Sequence, residues 1–153
     1  MEERPLNEYN VCRIARKTAG MTQERWAEAL DLSVEAVGQY EAGKILPSDA
    51  VVLRTIEVSG HTAIGYWHLL NKSRVARELL PEAKRLPLSQ AAIRLLLEIR
   101  DFDRKKRAEE LLRIAADGIV DPEERAEFEA IVRELQGIIR AAMEVQMSEE
   151  AAP

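Results

Sequence analysis

The apolar positions of this chain recur at helical spacing, three or four residues apart, almost from end to end. Between residues 7 and 71 they fall into five short runs, each opened by a capping residue. Asn7 is placed to cap a first helix reaching about Thr18, with Tyr9, Cys12, Ala15 and Ala19 on one face and Arg13 and Lys17 on the other. Gly20 ends it. Thr22 caps a second helix whose inner face is Trp26, Ala27 and Leu30. Asp31 follows at a turn that asks for a residue tolerant of positive φ. Ser33 caps a third helix, facing inward through Ala36 or Val37 and then Tyr40, with Gly43 as its stop. Ser48 caps a fourth, with Val51 or Val52, Leu53 and Ile56 inward and Gly60 at its end. Thr62 caps a fifth, carrying Ile64, Trp67 and Leu70.

The second half is patterned differently. Residues 73–87 read as a connector, because Pro81 and Pro87 cannot sit inside a helix; a short helical turn fits around Val75–Leu80. A helix then opens at Leu88 or Ser89 with Ala92, Leu95, Leu96, Ile99 and Phe102 on one side. A further run, Ala108, Leu111, Leu112 and Ala115, lies on nearly the opposite face if the helix is continuous. A break at Asp101–Asp103, with Asp103 as a cap, resolves the conflict; one long helix is the alternative. Gly118 reads as a C-cap, Asp121 as an N-cap and Pro122 as the first helical residue. The last helix then runs from Pro122 to about Met147. Its seam of Phe128, Ile131, Leu135, Ile138, Ala142 and Val145, widened by Val132 and Ile139, has two uses: packing against the chain's own helices, or a dimer interface. Residues 148–153 read as a frayed end.

Composition sharpens this picture. Hydrophobic residues make up 46% and charged residues 32%, with only 7 Gly and 6 Pro. Ala, Leu, Glu and Arg dominate, which favours an all-α chain. The expected organisation is a five-helix domain at 1–72, a connector at 73–87 and a helical C-terminal domain at 88–153 serving oligomerisation. The formal net charge is −5. Both halves are acidic, with 8 basic residues against 10 acidic over 1–72 and 14 against 17 over 73–153. Any nucleic-acid site must therefore rest on a local patch. The basic run Arg104 to Arg107 reads as a solvated face rather than a second such patch.

Candidate chemistry is sparse. Cys12 is the one cysteine, so no internal disulfide forms, and it reads as a buried core thiol. The opening MEERPLNEY lacks the apolar core of a signal peptide, and no apolar run has the length of a membrane span, so a cytoplasmic protein is expected. His61 and His68 have no further ligand partners and read as surface or rim residues; no metal site is expected. Asp117, Asp121 and Glu124 resemble half a calcium loop, yet Arg113 and Ala115 stand where its leading ligands belong, so a plain turn is expected. No catalytic constellation, phosphate loop or dinucleotide motif is present. Neither enzymatic activity nor a cofactor is expected.

The stretch Thr22–Ser48, TQERWAEALDLSVEAVGQYEAGKILPS, resembles the DNA-binding domain of lambda-repressor and Cro-like (XRE) helix-turn-helix regulators. Gln23 stands at the family's first position of helix 2, where Gln commonly reaches the DNA backbone. Ala27 is its small residue at the helix crossing. Leu30, Leu32, Val37 and Tyr40 match its apolar core positions, and Tyr40-Glu41-Ala42-Gly43-Lys44 is similar to its closing signature. Arg16 and Glu41 fall where the family has an Arg–Glu pair linking helix 1 to the end of helix 3. The resemblance covers residues 6 to 71 and implies a five-helix fold with double-stranded DNA as partner. It implies a DNA-facing set of Gln23, Ser33, Val34, Glu35, Gly38, Gln39 and Lys44, with Arg13 beside it. Where the family has basic residues after Lys44, this chain has Ile45 and Leu46, which thins the cationic footprint. A homodimer through Phe128, Ile131, Leu135, Ile138 and Ala142 would double a weak site. The competing expectation is a protein-interaction module that keeps the fold and binds DNA weakly or not at all.

Overall fold

In a computed structural model, residues 10–149 are described. Asn7 and Tyr9, expected to cap and line the first helix, lie outside the described residues, as do 150–153. The chain is all-helical and divides into two compact units, Met1–Leu80 and Pro81–Pro153.

The first unit holds α1 (Val11–Thr18), α2 (Gln23–Leu30), α3 (Val34–Glu41), α4 (Asp49–Ser59), α5 (Ala63–Lys72) and α6 (Arg74–Leu79). Polar side chains open five of them, α6 through Ser73, which accepts from the Ala76 amide at 3.1 Å. Asn10 accepts from the Arg13 amide at 3.0 Å, Thr22 from Arg25 at 3.3 Å, Ser33 from Ala36 at 3.1 Å and Ser48 from Val51 at 3.4 Å. The cap of α1 as described is thus Asn10. Thr62, expected to cap α5, makes no such bond, because its own backbone is already helical at φ −63° and ψ −29°. Asp31 turns the chain between α2 and α3 at φ 56° and ψ 47°, in the left-handed region where a short polar residue is tolerated.

The core of this unit gathers Val11, Cys12 and Ala15 of α1, Trp26, Ala27 and Leu30 of α2, Val37 of α3, Val52 of α4, and Ala63, Ile64 and Trp67 of α5. On α4 the inward partner of Val52 is Thr55; Leu53, expected inside, is 63% exposed. Leu53 sits one position beyond Val52, about 100° further round the helix, and so points out. The two histidines also depart from expectation: both are buried rather than at the surface. The His61 ring lies 5.3 Å from that of Trp67, and His68 Nε2 lies 3.2 Å from Asp49 Oδ1. An imidazole can present an apolar face to the core while a ring nitrogen keeps a polar contact.

The connector expected at 73–87 is shared between the units. Its first part is α6, capped by Ser73 and packed on α5 in the first unit. Its last part is pinned to the end of the chain: Glu149 N donates to Leu86 O at 2.9 Å, and Leu88 N donates to Glu149 O at 3.1 Å.

The second unit holds α7 (Leu88–Arg104), α8 (Arg107–Ile114), a single 3-10 turn (Ala115–Asp117) and α9 (Arg125–Gln146). Residues 89–117 therefore form two helices and the 3-10 turn, but the break falls at Lys105–Lys106 rather than Asp101–Asp103. Asp103 caps nothing: its carbonyl accepts from Lys106 N at 2.8 Å, and Lys106 takes the left-handed conformation at φ 55°. Asp101 instead binds Arg104 and Lys105 within the last turn, which carries α7 past the expected stop. The last helix starts three residues later than Pro122, because Asp121–Glu124 closes a separate turn, with Glu124 N donating to Asp121 O at 3.0 Å. Gly118 ends the 3-10 turn at φ 77°.

Helices α7 and α9 lie antiparallel. Arg94 pairs with Glu144 at 3.3 Å, Glu98 lies 3.8 Å from Arg140, and Lys105 lies 3.4 Å from Glu134. A Cβ at Gly137 would sit 3.1 Å from the end of the flexible Glu98 side chain, which can shift aside. Ala91, Ile114, Ile131, Ala141 and Met147 form the buried centre. Ile131, expected at a dimer interface, is fully buried within its own unit. Phe128, Leu135 and Ile138 are half-buried, and Ala142 is exposed.

Candidate nucleic-acid interface

The end of α3 is held by a buried carboxylate. Glu41 is 4% exposed. Its Oε1 accepts from Arg16 Nε at 2.5 Å, and its Oε2 accepts from Arg16 Nη2 and from Gln23 Nε2, each at 2.9 Å. Arg16 also donates through Nη1 to the Met21 carbonyl at 2.9 Å. The Glu41 carbonyl accepts from Asn10 Nδ2 at 2.8 Å and from Arg13 Nη2 at 3.0 Å. One residue thus ties together α1, the start of α2 and the end of α3, which fixes the angle at which α3 is presented. Burial by itself pushes the Glu41 carboxyl up, but the hydrogen bonds from Arg16 and Gln23 and the nearby charges outweigh it and hold the group below its usual value. Cys12 is buried on α1, and that burial, followed by the negative charge of Glu41, pushes its thiol up to about 12. It is an inert core group.

Around this hub the expected DNA-facing residues divide by role. Val34 is 43% exposed at the start of α3, and Glu35 is exposed beside it. Gly38 is half-buried, and a Cβ added there would meet nothing within 4 Å. Gln39 is half-buried and leans on Glu35, with Nε2 3.4 Å from Oε1. Lys44 is exposed just past the helix end, followed by Ile45 and Leu46 at 50% and 39% exposure. These residues share the open side of α3 and its following loop.

Three others are committed elsewhere. Ser33 uses its hydroxyl as the α3 cap. Gln23 places its amide on Glu41, so a backbone contact draws on its second N–H. Arg13 spends one guanidinium N–H on the Glu41 carbonyl while its side chain stays 52% exposed. Asn10 was missed in the sequence. The signal for it was weak, since an Asn before an apolar run reads as a cap, and here it both caps α1 and binds the Tyr40 and Glu41 carbonyls.

Three of the four cations in the run Arg104–Arg107 are paired inside the second unit. Arg104 and Lys105 pair with Asp101, and Arg107 pairs with Glu110 and Glu134. Among the described residues no group of three or more His, Cys, Asp or Glu side chains could hold a metal ion, and no helix is long and apolar enough to cross a membrane.

Residues 13–63, from α1 to the first residue of α5, match a family model described as a helix-turn-helix domain. No curated protein and no solved structure matches the chain.

Proposed function

Because residues 13–63 form a helix-turn-helix domain of the XRE-like regulator class, we propose that the protein is a sequence-specific transcriptional regulator of bacterial or phage type. It acts as a homodimer on a two-fold operator, by occupancy rather than catalysis. The observation that carries this reading is the rigid presentation of α3: Glu41 locks its far end to α1 and α2 while Val34, Glu35, Gly38 and Gln39 stay on the open side. That side is suited to lie in the major groove. Gln39 would pair with adenine, Val34 would meet a thymine methyl and Glu35 would accept from a cytosine amino group. Lys44 and the outer edge of Arg13 would hold phosphates.

A second reading is favoured by one specific feature. The loop after Lys44 exposes Ile45 and Leu46, and the side chains of Gln23 and Arg13 are partly spent on Glu41. A protein-interaction module would need no more charge than this. Mobility-shift titration of the full chain on DNA from its own promoter, at two salt concentrations, separates the two. The regulator reading expects Gln39→Ala to weaken the preferred site by about 1–3 kcal/mol and to relax one base-pair preference per half-site. Lys44→Ala should weaken all sequences alike and flatten the salt slope by about one unit. Should wild type show no shift, or should both variants bind like wild type, α3 does not read DNA and the interaction module takes its place.

A further inference from the structure

Helices α1 and α3 meet end to end at one half-buried side chain. Asn10 is the N-cap of α1, where its Oδ1 accepts from the Arg13 amide at 3.0 Å. Its Nδ2 works at the other end, donating to the Tyr40 carbonyl at 3.1 Å and to the Glu41 carbonyl at 2.8 Å. These are the last two residues of α3, whose closing carbonyls receive no amide from within their own helix. Both hydrogens of one amide are therefore placed on two consecutive carbonyls. The positive end of α1 and the negative end of α3 stand against each other across this residue, as aligned peptide dipoles favour.

Asn10 holds α3 in a different way from Glu41. The Glu41 carboxylate is joined to the α3 backbone through several rotatable bonds. Its bonds to Arg16 and Gln23 fix where the helix ends but leave it some freedom to roll. Asn10 grips the backbone itself. Consecutive carbonyls stand about 100° apart around a helix, so two bonds from one planar amide fix rotation about the axis as well as position along it. Arg13 Nη2 adds a bond to the Glu41 carbonyl at 3.0 Å, from a side chain that is 52% exposed.

Roll is the motion that base reading tolerates least. The tip of a side chain such as Gln39 stands about 5–6 Å from the helix axis. A roll of about 10° carries it about 1 Å, enough to take a hydrogen bond of about 2.9 Å out of range. A lysine contact with phosphate is long, flexible and dominated by charge, and survives such a shift. We propose that Asn10 is a positioning residue for base recognition: it sets the roll of α3 through the Tyr40 and Glu41 carbonyls and touches no base itself. This rests on the regulator reading above. It adds a residue of α1 to the determinants of sequence preference, beyond the open side of α3 and its loop.

Two substitutions separate this role from capping, because Ser and Asp cap a helix about as well as Asn. Asn10→Ser keeps the cap and is too short to reach α3. Asn10→Asp keeps the cap and the shape, and sets a carboxylate oxygen against two carbonyl oxygens, so it should be the more severe. The measurement is fluorescence anisotropy of the full chain on two labelled duplexes, below the thermal transition of every variant. One duplex is the sequence that wild type selects from a randomised pool; the other is a scrambled duplex of the same length and composition. The ratio of the two affinities is the readout, since partial unfolding lowers both alike and leaves it unmoved. Asn10→Ser should lower this ratio by about tenfold, and Asn10→Asp by more, with affinity for the scrambled duplex within about twofold of wild type. The salt slope on the scrambled duplex should not change, because no phosphate contact is lost. In a Gln39→Ala background the loss from Asn10→Ser should be at least about threefold smaller, because a reader already removed cannot be displaced.

Circular dichroism reports folding, and either variant suffices if the other misfolds. An unchanged ratio in Asn10→Ser or in Asn10→Asp, or equal losses with and without Gln39, overturns the assignment. A wild type that selects no sequence removes the regulator reading and this role with it. A wild-type preference that both variants share removes this role alone.

Discussion

Removing the arginine that faces Glu41 should unfold the first unit at a much lower temperature. In Arg16→Ala the carboxylate loses two of its three side-chain donors and keeps Gln23, with Arg13 Nε at 3.9 Å. Breaking a buried pair by deleting one partner costs about 3–5 kcal/mol. Arg16 retains 16% side-chain exposure, so water can enter the vacated space, and the lower end, about 3 kcal/mol, applies. For a unit of this size that is about 12–24 °C in Tm.

The pH dependence has a definite sign. In wild type the Glu41 carboxyl is held below its ordinary value of 4.5, so its stabilising contribution is present above that value and fades as pH falls through the folded one. Without Arg16, burial, already the largest single influence, is no longer outweighed and raises the folded value. The variant then carries a penalty above the ordinary value that is relieved as pH falls. The gap in Tm between the two proteins should therefore narrow from pH 7 towards pH 4. Adding Glu41→Gln to Arg16→Ala should recover part of the loss at pH 7 and remove this pH dependence. The assay is calorimetry or far-UV circular dichroism of the full chain at several pH values. An Arg16→Ala Tm within about one degree of wild type, or a gap that widens on acidification, would refute the reasoning.

Three further outcomes are expected. Gly38→Ala should raise Tm, by about 0.5–1 kcal/mol of added stability, because its methyl meets open space; mobility-shift assay should show weaker DNA binding, since the methyl stands on the proposed groove-facing side. A lowered Tm would contradict the open geometry. Cys12 should react with a thiol reagent at pH 8 at least about a hundredfold more slowly in native than in denatured protein; stopped-flow labelling decides it, and comparable rates would mean that α1 opens freely. Lys106→Gly should raise Tm by about one to three degrees, because it relieves a left-handed backbone at φ 55°; a fall would mean that the lysine side chain holds a contact worth more than the strain.

Local chemistry was legible in the residues alone. Thr22, Ser33 and Ser48 open their helices because a short polar side chain can reach the amide three residues on, whatever lies around it. Gly20, Gly43, Gly60 and Gly118 stop helical segments because they adopt positive φ cheaply. The apolar faces of α2 and the spacing of the turn follow from a 3.6-residue period, and the resemblance to helix-turn-helix regulators located Arg16 and Glu41. What packing between distant segments decides was not legible. The break between α7 and α8 moved to Lys106 because Asp101 found two cations within its own last turn. Thr55 rather than Leu53 turned inward, and both histidines entered the core, because the positions of α1 and α5 around α4 set which faces are covered. Gln23 was committed to Glu41 by the approach of α2 to α3, a contact across 18 residues. The apolar stripe of α9 was plain in the sequence, but packing within the unit decided that Ile131 is fully buried while Ile138 stays half-buried and Ala142 exposed. A one-dimensional pattern shows which residues avoid water; only the arrangement of the helices in space determines which of them succeed.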